Sequence, residues 1–292
     1  MIQQAQIQGV LNRQTTKTAK IIALINLGMT RTQIADLQVL GKYGAIQNVF
    51  AKYTAQMALG LNSESRLTFT AQAFNRKFGV EMEAYGVAKD LVARELRRAG
   101  IDCNIEGYNH DTRAAWKIVT DASLSGDNTW ELVSPPLVGE AGLIELKIVS
   151  DVLVRLRVKI NRTCGMHIHF EAANWNVATW RNLFKNYSRF QTAINSFMPT
   201  SRHDANYSRH LTNNETVFFQ KLDRITTIEG FQSLYSSRYY NVNPQAYTRH
   251  RTVEFRQHSG TIEFLKIEKW IRFLDCMVQF GEQGFVTTSG EN

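Results

Sequence analysis

An α+β fold, in which a largely antiparallel sheet carries helices on one face and a small all-helical segment precedes it, is predicted by three features of the chain. Runs with two-residue alternation are interleaved with helical runs, without strict strand–helix–strand alternation. Several of the alternating runs are apolar on one side and charged on the other, as half-covered strands are. Apolar residues at helical spacing fill residues 17–56 before the first such strand begins.

The helical start comes first. "KTAKIIALINLGM" places Ile21, Ile22, Leu24, Ile25 and Leu27 near helical spacing, and Gly28 breaks the run. "TRTQIADLQ" restarts it with Thr30 as N-cap. After Gly41, "YGAIQNVFAKY" puts Ile46, Val49, Phe50 and Tyr53 on one face. Three short helices in this order resemble a helix-turn-helix. In that reading residues 44–55 are the recognition helix, and Lys42, Gln47, Asn48 and Lys52 meet DNA. The competing reading is a helical appendage that serves packing or assembly. The expected division is residues 1–56 as a helical domain, 57–75 as a linker and 76–292 as the sheet domain.

From Arg76 the pattern alternates. "KFGVEMEAYG" reads as a strand and "VAKDLVARELRRAG" as an amphipathic helix ended by Gly100. "IDCNIEGY", "AWKIVTD" and "NTWELVSP" read as short strands, the last stopped by Pro135 and Pro136. "GEAGLIELKIVSDVLVRL" is helical, "CGMHIHFEA" a strand, 176–197 a long helix and "NETVFFQKLDRI" another helix. "RTVEFRQH" is a strand, and "TIEFLKIEKWIRFLDCMVQF" closes the chain as a helix.

Composition limits the classes. The 292 residues are 43% hydrophobic and 21% charged, which suits a large globular domain. No apolar run reaches the length that crosses a bilayer, so no membrane partner is expected. The N-terminus lacks a basic stretch followed by an apolar run, the mark of a secretion signal. Cys103, Cys164 and Cys276 are sparse, odd in number and widely spaced, which suits free thiols in the cytoplasm. The net charge is +8. Residues 1–75 hold seven basic against two acidic residues, so most of the excess lies there. Such a patch attracts nucleic acid or simply keeps the protein soluble.

The chemistry lies on the strands. Side chains two apart share a face. Glu81 and Glu83 therefore stand together, as do His167 and His169, and as do Glu254, Arg256 and His258. Glu131 adds an acid between Trp130 and Leu132. A merely wet sheet face favours Lys, Thr, Ser and Gln. Carboxylates crowded on one face repel unless a cation lies between them. Glutamates with one imidazole suit Mg²⁺ or Mn²⁺, whereas Zn²⁺ recruits more His or Cys. A hard metal beside an arginine points to phosphate chemistry. No GxxxxGK[ST] loop is present to hold a nucleotide.

The ordered set "FGVEMEAYG", "WKIVTDASL", "ELVSPPL", "CGMHIHF", "SRYYNVNPQAY" and "RTVEFRQHSGT" resembles the amidoligase family, over about residues 76–280. That family is one of the glutamine synthetase-like carboxylate–amine ligases. The resemblance implies a glutamine synthetase-like sheet on which ATP, Mg²⁺ (or Mn²⁺), a carboxylate substrate and an amine donor meet. A peptide or protein is among the substrates it admits. By resemblance Glu81, Glu83, Glu131, Glu254 and His167 bind metal, and Arg256 stabilises the transferring phosphoryl group beside Glu254 and His167. His169, Ser134, Arg238, Tyr240 and Asn243 contact nucleotide or substrate. Asp121 and Ser123 orient the carboxylate or the amine. "DASL" stands where the family commonly has glycine after the aspartate, and only the first strand carries an E-x-E pair. The helical start lies outside the resemblance and either contacts DNA or a partner, or joins protomers into a homo-oligomer.

Two other functions fit the same residues: a DNA-binding regulator whose large domain senses a ligand without turning it over, and a metal-dependent nuclease. For the ligase, Glu254→Gln is expected to remove Mg-ATP binding with little loss of fold.

Overall fold

Thr30 begins a helix as its position predicts. Its hydroxyl accepts from Gln33 N, and the Gln33 side chain accepts from Thr30 N, a reciprocal cap that satisfies two otherwise unpaired donors. A computed structural model describes residues 4–58, 69 and 71–287. By contacts the chain divides into two units, Met1–Thr68 and Phe69–Asn292. Unit one holds α1 (Gln4–Leu11), α2 (Lys17–Asn26), α3 (Arg31–Asp36) and α4 (Tyr43–Ala58). The sequence anticipates the last three of these; α1 is additional. Ile21, Leu24, Ile34 and Ile46 form a small core with Val10 of α1.

Most of the expected linker, residues 59–68 and 70, lies outside the described residues. Its end packs on the second unit. Phe74 is buried, and Gln72 N donates to the Gln279 side chain at 2.7 Å.

In unit two the sheet strands are β1 (Lys77–Ala84), β2 (Cys103–Ile105), β3 (Trp116–Val119), β4 (Trp130–Val133), β5 (Leu137–Val138), β6 (Met166–Glu171), β7 (Val242–Asn243) and β8 (Thr252–Phe255). They order as β2-β3-β4-β1-β6-β8-β7, with β5 pairing β1. Only β2 and β3 run parallel among these pairs. The sheet is therefore mostly antiparallel.

Alternation sets the two faces. Phe78, Val80, Met82, Leu132, Met166, Ile168, Phe170, Val253 and Phe255 share one core. That core includes buried residues of α5 (Lys89–Arg98), α6 (Gly139–Arg155), α7 (Val177–Phe197) and α11 (Phe264–Glu282). Burying a large apolar side chain contributes about 1.5–3 kcal/mol, so this face fixes the register of every strand. Arg76 binds β1 to α11 through Asp275 at 2.8 Å and both oxygens of Glu282. The helices α8 (Glu215–Asp223), α9 (Ile228–Gln232) and α10 (Ala246–His250) lie between β6 and β8 in sequence. The opposite face of the sheet is left to the charged residues.

Candidate functional site

Register decides which charged side chains meet, because directly paired residues share a face. Glu81 pairs with His167, Glu83 with Glu131, and His169 with Glu254, which pairs in turn with Asn243. His167 Nδ1 is 2.9 Å from Glu81 Oε2 and 3.5 Å from Glu254 Oε1, and its Nε2 is 3.8 Å from Glu83 Oε1. His169 Nδ1 meets Thr252 Oγ1 at 3.0 Å. Its Nε2 lies 3.3 Å from Glu81 Oε1 but makes no aligned hydrogen bond among the described residues.

Two donor sets result, Glu81–His167–Glu254 and Glu83–Glu131–His167. Within each, one ligand atom per residue lies within 4.8 Å of the others. Two carboxylates and one imidazole per set, with an orphaned buried His169 Nε2 beside them, fit Mg²⁺ or Mn²⁺ and supply too few soft ligands for zinc. Glu131, from a strand with a single acid, completes the second set because β4 places it opposite Glu83.

The carboxylates are driven apart in their acidity. Burial raises Glu131, and the charges of Glu81, Glu83 and Asp121 push it further, well above the usual carboxylate range. Burial would raise Glu81 too, but its hydrogen bond to His167 and its closeness to His169 outweigh that and hold it well below that range. Glu254 is also lowered: burial opposes this, and Arg256, His169 and His167 prevail. Neighbouring acids with opposite shifts mark a site at which burial and charge are both concentrated.

Arg256 Nη1 donates to Glu254 Oε1, and its Nε donates to the Tyr207 carbonyl oxygen at 3.3 Å. Asn243 Nδ2 holds the other Glu254 oxygen at 2.6 Å. Above this acidic floor opens a cavity of about 1130 Å³, with Arg162, Arg202, Arg238 and Arg249 also in its walls. An acidic floor under arginine walls can take a cation and anionic ligands together.

A family model described as "Putative amidoligase enzyme" matches residues 74–278, the stretch that carries every strand of the sheet. The chain belongs to this amidoligase family. Membership brings a ligase activity in the general sense, and all six motifs of the sequence resemblance fall inside the match. No curated protein matches the chain in sequence.

Of the residues that the amidoligase motifs single out, Glu81, Glu83, Glu131, His167, His169, Asn243, Glu254 and Arg256 line the cavity, as do Asp121, Ser123 and Arg238. Asp121 Oδ1 accepts from both Ser123 N and Ser123 Oγ, at 2.7 and 2.6 Å, so the "DASL" loop closes on itself without the family's glycine. Ser134 is not with them: its Oγ accepts from Val80 N at 2.9 Å, and it lines an adjoining cavity of about 240 Å³. Tyr240 turns away and stacks on Tyr235 at 3.7 Å, and Tyr239 lines the cavity instead. His258 leaves the charged face because β8 ends at Phe255; its ring lies against Trp270. Lys42, Gln47, Asn48 and Lys52 belong to the first unit. There Asn48, Lys42 and Lys52 are exposed, while Gln47 accepts from Arg31 Nη1 at 2.7 Å.

Sequence reasoning missed Arg202, Arg162, Arg249, His110 and His250, which also line the cavity. Arg202 comes from a 3₁₀ turn, Thr200–Arg202, and Arg162 and His110 from loops. No periodicity marks such positions, whereas a count of unassigned arginines near the motifs flags some of them.

Proposed function

We propose that this amidoligase is an ATP-dependent carboxylate–amine ligase that forms an amide or peptide bond through an acyl phosphate. One observation carries the reading: two Glu–Glu–His donor sets share His167 on the floor of a cavity whose walls are arginine. The mostly antiparallel sheet supports the glutamine synthetase-like architecture that such ligases use.

A carboxylate is a poor electrophile because oxide is a poor leaving group. Its oxygen attacks the γ-phosphorus of ATP, the bond from that phosphorus to the β–γ bridging oxygen breaks, and ADP departs. The amine nitrogen then attacks the acyl carbon, the carbon–oxygen bond to phosphate breaks, and inorganic phosphate leaves. The proton that the amine sheds passes to Asp121, on the cavity wall.

Glu81, Glu83, Glu131, Glu254 and His167 would hold Mg²⁺ or Mn²⁺. When bound, the metal offsets the repulsion between phosphate and carboxylate. Arg256, fixed by Glu254 and the Tyr207 carbonyl, neutralises charge on the transferring group. His169, Arg238 and Asn243 contact the nucleotide. A cavity of about 1130 Å³ exceeds the usual single-ligand range of roughly 300–1,000 Å³, as a site for several substrates must. Among the described residues no helix is long and apolar enough to cross a membrane. Three free thiols support a cytoplasmic setting.

The test is the thermal stability of wild type and Glu131→Gln, with and without Mg²⁺ and a non-hydrolysable ATP analogue. Ligand at a hundredfold excess over Kd stabilises the native state by roughly 2.7 kcal/mol. The expected result is an upshift in wild type that is larger with metal and analogue together than with either alone. An unshifted wild type in every condition overturns the reading.

A second reading rests on the first unit. α4 buries Ile46 and exposes Asn48 and Lys52, while the reciprocal cap fixes the start of α3. This arrangement suits a regulator that reads DNA through α4 and senses a ligand with its larger unit. Steeply salt-dependent, sequence-selective binding that Lys52→Ala weakens would support it. Equal weak binding to every duplex would remove it.

A further inference from the structure

A strong cation in the cavity wall has no carboxylate within ion-pair distance among the described residues. Arg202 is 6% exposed. Its Nη2 donates to the Cys164 carbonyl oxygen, and its buried Nε has no hydrogen-bond partner among the described residues. Glu83 acts on it only through space, and Arg256 opposes it. Arg256, in the same wall, is matched by Glu254. A buried guanidinium without a counter-anion is costly, so a site that keeps one is built for an anion that arrives from outside.

The neighbouring backbone makes room for it. A Cβ on Gly165 would lie 2.6 Å from Arg202 Nη2 and 3.2 Å from His167 Nε2. Glycine here lets the guanidinium come up beside the imidazole that both donor sets share. Arg162, exposed on the loop before Gly165, lines the same cavity.

We propose that Arg202 anchors the carboxylate of the molecule to be amidated, at the Glu83 end of the cavity, and that Arg162 draws that anion in. The inference rests on the ligase reading and names the residue that selects its acidic substrate. A planar guanidinium matches a planar two-oxygen anion better than a point charge does. The phosphates have other partners in Arg256 and Arg238, which both act on Glu254. Arg202 thus separates the two anions that must meet only at the transferring phosphorus.

The experiment is an NMR titration of the full chain that follows the Arg202 Nε–H resonance, assigned by its loss in Arg202→Lys. The probes are acetate, glutarate and an N-acetyl dipeptide with a free C-terminus, each with its neutral amide counterpart, and inorganic phosphate. Carboxylates are expected to shift the resonance saturably and at least tenfold more tightly than the amides. Arg202→Lys, folded by its melting transition, is expected to lose at least tenfold in carboxylate affinity while still being stabilised by Mg²⁺ and the ATP analogue. No shift with any carboxylate, equal shifts with the amides, or a shift with phosphate alone overturns the anchor. If Arg202→Lys does not fold, the resonance is assigned through bonds from the Arg202 backbone, and the wild-type comparison of acid with amide still decides. Nucleotide binding without carboxylate binding removes the anchor alone. Carboxylate binding at Arg202 without nucleotide binding keeps the anchor and removes the ligase reading.

Discussion

Glu83 and Glu131 stand directly opposite each other across β1 and β4, two carboxylates on one face with His167 beside them. Like charges placed opposite one another across a sheet destabilise it, by up to about 1 kcal/mol. Burial and the neighbouring acids push the Glu131 carboxyl well up, which is the same repulsion seen as acidity. Glu131→Gln should therefore raise the melting temperature in chelator and abolish the upshift that Mn²⁺ gives the wild type. Calorimetric scans with and without Mn²⁺ check both. An undiminished Mn²⁺ upshift in the variant would remove Glu131 from the metal site.

Glu254 and Arg256 form an ion pair in which both side chains are nearly inaccessible. Removing one partner of a buried pair leaves an uncompensated charge and costs about 3–5 kcal/mol. Glu254→Gln should accordingly lose about 3 kcal/mol, against the expectation from sequence that it leaves the fold nearly intact. The double variant Glu254→Gln/Arg256→Met should recover part of that loss. Urea unfolding of the two singles and the double gives the coupling. Strict additivity would mean that the pair does not interact.

Much of the site is legible because a strand has a period of two. Glu81 with Glu83, His167 with His169 and Glu254 with Arg256 share a face by that rule alone, and the apolar residues between them fix which face is covered. The order of the strands is not local information, so the Glu83–Glu131 pairing could not be read. Alternation also misleads where a strand stops. β8 ends at Phe255, and His258 no longer obeys the pattern. In the irregular segment before β7 a shift of one residue exchanges faces, which puts Tyr239 rather than Tyr240 in the cavity. Arg202 has no pattern to betray it, because the 3₁₀ turn that carries it is placed by tertiary packing.

Lys117 is a buried lysine that no carboxylate among the described residues pairs. It is 2% exposed, and its ammonium donates to Asn109 Oδ1 and the Asp111 carbonyl, both at 2.7 Å, and to the Asn109 carbonyl at 3.3 Å. It thereby holds the loop that brings His110 to the main cavity and Asp111 to the smaller one. Hydrogen bonds to a charged group contribute about 1.5–3 kcal/mol. Lys117→Met should cost about 2 kcal/mol and speed amide hydrogen exchange across residues 106–113. Unchanged exchange there would show that the loop is held by other contacts.

His258 gives a pH dependence whose sign can be worked out. Burial, against the hydrogen bond to the Ser259 carbonyl and helped by Arg202 and Lys266, pushes its pKa from 6.5 down to about 4. The unfolded chain therefore binds a proton between pH 6.5 and 4 that the folded chain does not. Stability from this group is fully present above pH 6.5 and is lost as pH falls to about 4, by at most about 3 kcal/mol. His258→Phe keeps a ring against Trp270 and should flatten that part of the pH–stability curve. Parallel curves for variant and wild type would assign the acid sensitivity to the carboxylates.

Gly165→Ala tests the close approach behind "CGMHIHF". The new methyl carbon would sit 2.6 Å from Arg202 Nη2 and 3.2 Å from His167 Nε2. A guanidinium is the end of a flexible chain and can retreat, but it then gives up the Cys164 carbonyl. Gly165 is pinned to Glu83 through both its backbone groups, Glu83 N donating to its carbonyl at 3.1 Å and its own N donating to the Glu83 carboxylate. The side chain, not the backbone, should therefore yield. Overpacking of this kind costs about 1–3 kcal/mol, and the low end is expected because one side chain absorbs it. The larger effect should be on the position of Arg202: its Nε–H resonance should move in the free protein, and glutarate should no longer shift it. A Gly165→Ala protein that leaves this resonance in place would show that the glycine serves the strand alone.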